Sequence, residues 1–145
     1  MISDGETEQT EFKPSLSQKD RIMESVSAFS NTRGGTILVG VSDRGDITGL
    51  DVGRSTQEDL AGYVKRNSDP PVYPSIGTVH FERKTLLFVT VKDSSEKPVF
   101  FQDKAFKRVG RSNQRISSHE IRMMAKEEIK KLSWDDTDMR KCNTE

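Results

Sequence analysis

The sequence contains a single cysteine, Cys142, which lies among polar residues near the C-terminus. One thiol cannot form an internal disulfide, and it cannot supply the several thiolates of a cysteine-based zinc site. No apolar run approaches the roughly 20 residues that a membrane-spanning helix needs. We therefore expect a soluble, intracellular and cytoplasmic protein that makes no contact with a membrane.

The chain also lacks a net charge, because 23 basic residues balance 23 acidic ones. A neutral chain offers no simple electrostatic argument for binding nucleic acid. The charges are segregated, however: residues 1–11 contain four acidic and no basic residues, whereas residues 97–115, the basic segment, contain six basic residues and one acidic residue. This pattern predicts a polarised surface, although solvated loops explain a charge run taken alone equally well.

A phosphate-binding loop of the form G-x-x-x-x-G-K-[ST] is absent as well. The glycine-rich stretch 31–35 runs from a predicted helix into a predicted strand, so no helix N-terminus would face a phosphate there. We expect no nucleotide cofactor, and we interpret Gly34-Gly35 as the end of a helix.

The apolar residues predict an α+β fold, a mixed sheet with hairpins packed by about three helices. A short strand at residues 10–13 precedes a helix that Ser17 and Asp20 are expected to cap. The continuous apolar run 36–41 is typical of a central strand buried on both faces. Residues 47–50 are expected to pair with that strand as a hairpin.

The second half of the chain predicts another helix from Ser55, two further hairpins and a last helix capped by Ser117 and Glu120. The hairpin strands are expected at residues 79–81 with 86–91, and at residues 99–101 with 105–109. We assign residues 1–133 to one domain and residues 134–145 to a polar C-terminal tail.

The first candidate catalytic residues are Glu11 and Lys13. They are expected to share one face of the first strand, while Phe12 points into the core. Metal-dependent nucleases pair a carboxylate with a lysine in this way, although a surface ion pair explains the same triplet. Glu6 lies just upstream, and Asp43 lies at the end of the central strand. If these carboxylates converge, a cation such as Mg²⁺ or Mn²⁺ would offset their repulsion.

Binding of a nucleic-acid backbone is expected mainly in the basic segment, where cations, backbone amides and small hydroxyls occur together. Phe100, Phe101 and Phe106 could stack on bases, but strand burial is the more common use of such residues. The candidate binding residues are Arg33, Lys97, Lys104, Lys107, Arg108, Arg111, Asn113 and Arg115.

Several of these elements together resemble the Schlafen-type AlbA-like domain over residues 6–130. They are Glu11-Phe12-Lys13, the stretch 28–43 with Arg33-Gly34-Gly35 and Gly40-Val41, Ile47-Thr48-Gly49-Leu50, Lys97-Pro98-Val99-Phe100, and Arg108-Val109-Gly110-Arg111-Ser112-Asn113. The resemblance implies a nucleic-acid-binding module, here as a single lobe.

Some animal Schlafen proteins are metal-dependent endoribonucleases that cleave structured RNA such as tRNA. Their active sites use two glutamates five residues apart and an aspartate after the Gly-Val element. In this sequence the resemblance implies that Glu6, Glu11 and Asp43 hold Mg²⁺ or Mn²⁺ and that Lys13 assists catalysis. Asp43 departs from the pattern because Ser42 separates it from Val41, and Glu8 is a possible substitute.

The animal enzymes pair two lobes around RNA, so the resemblance also suggests a homodimer with a two-lobed groove. Three hypotheses for the function stay open at this point. The first is a metal-dependent endonuclease acting on tRNA-like RNA or single-stranded DNA. The second is a non-catalytic module that binds DNA or RNA and has a regulatory role, and the third is a protein-interaction domain.

Overall fold

The computed structural model describes the backbone of residues 5–144 and the side chains of residues 5–132. The α+β class is confirmed, with seven strands and three helices in this part of the chain. In chain order the elements are β1 (Thr10–Lys13), α1 (Lys19–Asn31), β2 (Gly35–Val39), α2 (Thr56–Asn67), β3 (Ser75–Phe81), β4 (Lys84–Val91), β5 (Phe100–Phe101), β6 (Lys104–Val109), β7 (Ser112–Arg115) and α3 (Ser118–Thr144).

The strands form two sheets, one with the order β1-β2-β4-β3 and one with the order β5-β6-β7. β1 and β2 are parallel, and every other neighbouring pair is antiparallel. β2 lies inside the first sheet, and its residues Ile37, Leu38 and Val39 are buried. The predicted central strand is therefore confirmed, because an apolar run of this kind can bury both faces of a strand.

The predicted hairpin between residues 36–41 and 47–50 is wrong, since only an isolated bridge joins Val41 to Ile47. Gly40 and Gly49 both adopt positive φ angles, 103° and 78°, which turn the chain away from an extended course. The backbone N–H groups of Thr48 and Gly49 donate to the carbonyl of Gly40 at 2.8 and 2.9 Å. The segment therefore folds into a loop, and β4 takes the place beside β2.

The other two predicted hairpins are confirmed as β3–β4 and β5–β6. The strand β7, which pairs with β6 from Val109–Ser112 to Phe106–Arg115, was not predicted from the sequence. β7 consists of polar residues, and only Asn113 is drawn partly inward, so no apolar alternation identifies it as a strand.

Helix α1 packs against both sheets, and nine of its residues are buried. Two polar side chains on it hold the chain around β5 and β6. Asn31 accepts a hydrogen bond from the backbone N–H of Val99 at 2.7 Å and donates to the carbonyls of Val99 and Phe106 at 3.1 and 3.0 Å. Ser27 donates to the Val99 carbonyl at 2.8 Å. These side chains therefore supply hydrogen bonds to buried backbone N–H and C=O groups that have no partner on a neighbouring strand.

The observed N-caps of the helices agree only in part with those predicted from the sequence. At α1 the expected cap is wrong, because Gln18 occupies the N-cap without a side-chain hydrogen bond and Ser17 bonds to Ser15 instead, at 2.7 Å. At α3 the expected capping box is confirmed, because the N–H of Glu120 donates to the Ser117 hydroxyl at 3.1 Å.

The backbone of α3 continues through residue 134, where the polar tail was expected to begin. The side chains of residues 133–145 lie outside the described part of the chain, so the boundary at residues 133–134 stays a prediction. Among the described helices, none combines the length and the apolar character needed to cross a bilayer.

Candidate functional site

The centre of the candidate site is an ion pair between Glu11 on β1 and Arg108 on β6. Both residues are buried, with 7% and 3% of their surfaces exposed. One guanidinium nitrogen of Arg108, Nη1, donates to Glu11 Oε2 and to Asn113 Oδ1, the latter at 2.8 Å. The other, Nη2, donates to the carbonyls of Thr7 and Thr10 at 2.9 and 3.0 Å. The second sheet is thus fastened to the edge strand of the first.

Two neighbouring groups complete the surroundings of this ion pair. The Arg108 guanidinium lies 5.0 Å from the ring centroid of Phe29, within range for a cation–π contact. Lys13 Nζ lies 3.6 Å from Glu11 Oε1, so the Glu11 carboxylate is held between two cations. The predicted sharing of one strand face by Glu11 and Lys13 is confirmed by this contact.

The three predicted carboxylates, Glu6, Glu11 and Asp43, define the acidic corner. Glu6 accepts a hydrogen bond from the backbone N–H of Phe12 at 3.1 Å, which places it beside β1. Partial burial raises the pKa of Glu6, and the carboxylates of Glu11 and, more weakly, Asp43 act in the same direction. The carboxylate of Glu6 therefore lies near enough to those of Glu11 and Asp43 to be repelled by both.

Whether the acidic corner fits a divalent cation depends on how its oxygens are already used. Mutual repulsion at Glu6 is a condition that a bound cation relieves. Glu11, however, spends its two oxygens on Arg108 and Lys13. Within the described side chains, no group of three carboxylate, histidine or cysteine residues is arranged to hold a metal ion. The negative charge of the acidic corner suits a divalent cation. The positions of its oxygens do not, as long as Glu11 stays in its ion pairs with Arg108 and Lys13.

Glu8, the possible substitute ligand, is exposed, and one of its oxygens lies 4.0 Å from Nε of Arg33. It therefore approaches the side chain of Arg33, which is itself exposed. The expected contact between Arg33 and a nucleic acid stays a prediction.

The expectation that Arg108 contacts a nucleic-acid backbone needs correction. The side chain of Arg108 is fully buried in its ion pair, so it cannot reach a phosphate at the surface. A signal for this was present in the sequence, because β-strand alternation places Arg108 on the same face as the core residue Phe106. Asn113 has a similar structural role, since it links Arg108 to the hydroxyl of Ser25 at 2.8 Å.

The remaining cations of the basic segment fall into two groups. Lys97 pairs with Asp93, and Lys107 pairs with Glu120 at 2.7 Å. Lys104, Arg111 and Arg115 are exposed, and none of them forms an ion pair with another described side chain. Lys104 and Arg115 line one pocket at the start of α3 together with Asp103, and Arg111 lies in the β6–β7 turn.

The aromatic residues of the basic segment are used mainly for packing. Phe101 and Phe106 are buried, with 3% and 8% of their surfaces exposed, so they are not available to stack on bases. Phe100 is half-buried and lines an open pocket with Arg66 and Asp103. The expectation that such phenylalanines are more commonly buried in strands is confirmed for Phe101 and Phe106.

The chain matches a known protein family. Residues 6–117 match the model of the family described as "Schlafen, AlbA_2". No curated protein matches the sequence.

The solved structures that are similar to the chain include the following two. The DIP2311 protein from Corynebacterium diphtheriae has a TM-score of 0.63 at 22% identity, covering 75% of this chain but only 22% of that protein. The N-terminal domain of an ATP-dependent DNA helicase RecG-related protein from Nitrosomonas europaea has a TM-score of 0.54 at 28% identity, covering 74% of this chain and 82% of that domain.

We expect Arg108→Met to lower the free energy of unfolding by about 3–5 kcal/mol, because the substitution leaves the buried Glu11 carboxylate without its main partner. Urea unfolding followed by circular dichroism measures the change. The control is Arg111→Met in the exposed β6–β7 turn, which should change stability by less than about 0.5 kcal/mol. Equal stability of the two variants would contradict the role given to the buried ion pair.

We expect Glu6→Gln to stabilise the protein more at neutral pH than in acid. A raised pKa means that the folded state binds the proton more tightly than the unfolded state, so wild-type stability falls as pH rises through that pKa. Glutamine keeps the carbonyl oxygen that accepts from Phe12 and does not titrate. Urea midpoints from about pH 4 to about pH 8 test this, with Glu8→Gln as the control for net charge. A stability difference that stays constant with pH would disagree with it.

Proposed function

Since the chain belongs to the Schlafen AlbA_2 family, we propose that it binds the sugar-phosphate backbone of nucleic acid through exposed cations of the basic segment. Structured RNA such as tRNA and single-stranded DNA are the proposed ligands. The observation that carries the proposal is the exposed set Lys104, Arg111 and Arg115, which have no acidic partner among the described side chains. Cations in this state attract phosphates and release the condensed counterions of the nucleic acid.

The binding residues are held on a rigid support. Arg111 lies in the turn of the hairpin that contains Arg108, and Arg115 lies on the strand paired with β6. The buried contacts of Arg108 with Glu11 and with the carbonyls of Thr7 and Thr10 limit the movement of this hairpin. Less conformational freedom is therefore lost when a phosphate is bound.

The proposed contacts are made with phosphates and are independent of the base sequence. Long flexible cations on a sheet edge and a turn position a duplex or a strand, but they do not distinguish base edges. The family membership indicates a function related to nucleic acid, and the similar domain from a RecG-related protein is consistent with it. A groove formed by two copies of the chain stays a prediction.

Metal-dependent cleavage of the bound strand is a second candidate, favoured by the position of Glu6, which accepts from the Phe12 N–H on β1 and lies close enough to Glu11 to be repelled by its carboxylate. In this case Glu6, Asp43 and Glu11 would hold Mg²⁺ or Mn²⁺, and Glu11 would have to loosen its contact with Lys13 or Arg108. A metal ion held by these carboxylates would supply an activated water for hydrolysis. Lys13, 14% exposed at its side chain, would steady a phosphate oxygen beside Glu11.

We expect Arg111→Gln/Arg115→Gln to weaken binding of labelled tRNA and of single-stranded DNA to a similar extent. The slope of log K against log salt should become shallower by about 2, because each lost phosphate contact removes roughly one unit. Fluorescence anisotropy at several salt concentrations measures both effects. The matched control is Arg54→Gln/Arg83→Gln, which removes the same charge from exposed positions in other loops. Binding that does not depend on salt, or equal losses in the two variants, would contradict the proposal.

For the second candidate we expect Mn²⁺-dependent cleavage of labelled tRNA or single-stranded DNA that Glu6→Gln abolishes. Mn²⁺ should also raise the melting temperature of the wild type but not of Glu6→Gln, because binding to the folded state alone stabilises it. The melting temperature detects the metal without relying on activity. If Mn²⁺ produces neither cleavage nor stabilisation while binding persists, the chain is a non-catalytic module.

A further inference from the structure

β3 forms one outer edge of the four-stranded sheet and pairs only with β4. From Ser75 to Phe81 the pairing is continuous, so β3 contains no bulge. Its sequence, SIGTVHF, has no proline and no lysine, arginine, aspartate or glutamate. Within residues 5–132, no other element donates to or accepts from the outer edge of β3. The edge therefore lacks the devices by which proteins prevent pairing with another strand.

The geometry of the β3–β4 turn determines which backbone groups face outward. Glu82 and Arg83 have φ angles of 46° and 68°, the positive values of a two-residue type I′ turn. In such a hairpin the closing pair, Phe81 with Lys84, is hydrogen-bonded, and the hydrogen-bonded pairs then alternate along the ladder. The N–H and C=O groups at the alternate positions 76, 78 and 80 therefore point to the free edge.

We propose that this edge binds β3 of a second copy of the chain, antiparallel and centred on Thr78. The two-fold register places Thr78 opposite Thr78 and Ile76 opposite His80. Each of these pairs would exchange two backbone hydrogen bonds, because all three positions present both groups outward. The two four-stranded sheets join into one continuous sheet.

The side chains of β3 are complementary to themselves in this register. Val79 lies opposite Gly77, and Phe81 lies opposite Ser75, so a large residue meets a small one at each position. A Cβ atom on Gly77 would collide with the ring of Phe88, so this ring fills the space beside Gly77. Val79 of the other copy would then meet the apolar ring of Phe88. Val79 and Phe81, now 45% and 49% exposed, would be partly covered.

The absence of formal charge on β3 is compatible with pairing between two copies. No formally charged side chain lies between residues 75 and 81, so a two-fold axis through Thr78 opposes no like charges within the paired strands. The turn residues Glu82 and Arg83 lie beyond both ends of the register. The interface is independent of the basic segment, so a failure of nucleic-acid binding would not affect it.

A disulfide across the proposed axis tests the register. Opposed residues of a hydrogen-bonded antiparallel pair have Cα atoms about 5.5 Å apart, within the range that a disulfide spans. In a Cys142→Ser background, Thr78→Cys should form a covalently linked dimer under mild oxidation. Gln102→Cys, at an exposed turn of the other sheet, should stay monomeric under the same conditions. Equal cross-linking of the two variants would overturn the proposal.

Sedimentation equilibrium of the unmodified chain is the second measurement. The wild type should sediment as a dimer at high micromolar concentration, and Thr78→Pro should sediment as a monomer with an unchanged circular dichroism spectrum. Proline is tolerated here because the N–H at position 78 faces the free edge and takes no part in the ladder with β4. A monomeric wild type, or a folded Thr78→Pro that still dimerises, would overturn the proposal.

Discussion

The buried ion pair of Glu11 and Arg108 is the interaction on which the arrangement of the site depends. Two opposite charges withdrawn from water are expensive unless each is fully paired, and a buried charge that loses its partner is strongly destabilising. Arg108 meets most of this requirement, because Nη1 and Nη2 contact Glu11, Asn113 and two backbone carbonyls, whereas its buried Nε has no hydrogen-bond partner among the described residues. The energetic need to pair the charges therefore also determines how the second sheet docks against β1.

This requirement divides the basic segment by function. Arg108 and Asn113 are structural, whereas Lys97 and Lys107 are neutralised by acidic neighbours. The cations that remain available, Lys104, Arg111 and Arg115, lie on the elements that Arg108 supports. A neutral chain can thus present a locally positive surface without a net charge. The same ion pair restrains Glu11, so the acidic corner can bind a metal only by rearranging.

The sequence predicted the elements that have a strong local pattern. The apolar run around Ile37 and Val39 and the capping box of Ser117 identify β2 and the start of α3 correctly. β7 and the loop at residues 47–50 were misjudged because their structure depends on distant partners. Pairing with β6 makes a strand of a polar segment, and hydrogen bonds to the Gly40 carbonyl fold an apolar one into a loop.

For the site, the spacing of Glu11 and Lys13 predicted their shared face, because strand alternation is a local property. That Arg108 would approach Glu11 could not be predicted, since 97 residues separate the two in sequence. Alternation with Phe106 could have indicated that Arg108 is buried, but not which carboxylate it meets. Likewise, the distance of Asp43 from Glu6 depends on how the loop after β2 folds.

The most direct test of the account is an NMR titration of the ¹⁵N-labelled chain with a single-stranded oligonucleotide at two salt concentrations. We predict salt-sensitive shifts at the amides around Lys104, Arg111 and Arg115, and an unchanged Nε–H signal of the buried Arg108. Shifts confined to the β3–β4 hairpin, or loss of the Arg108 signal on binding, would contradict the account.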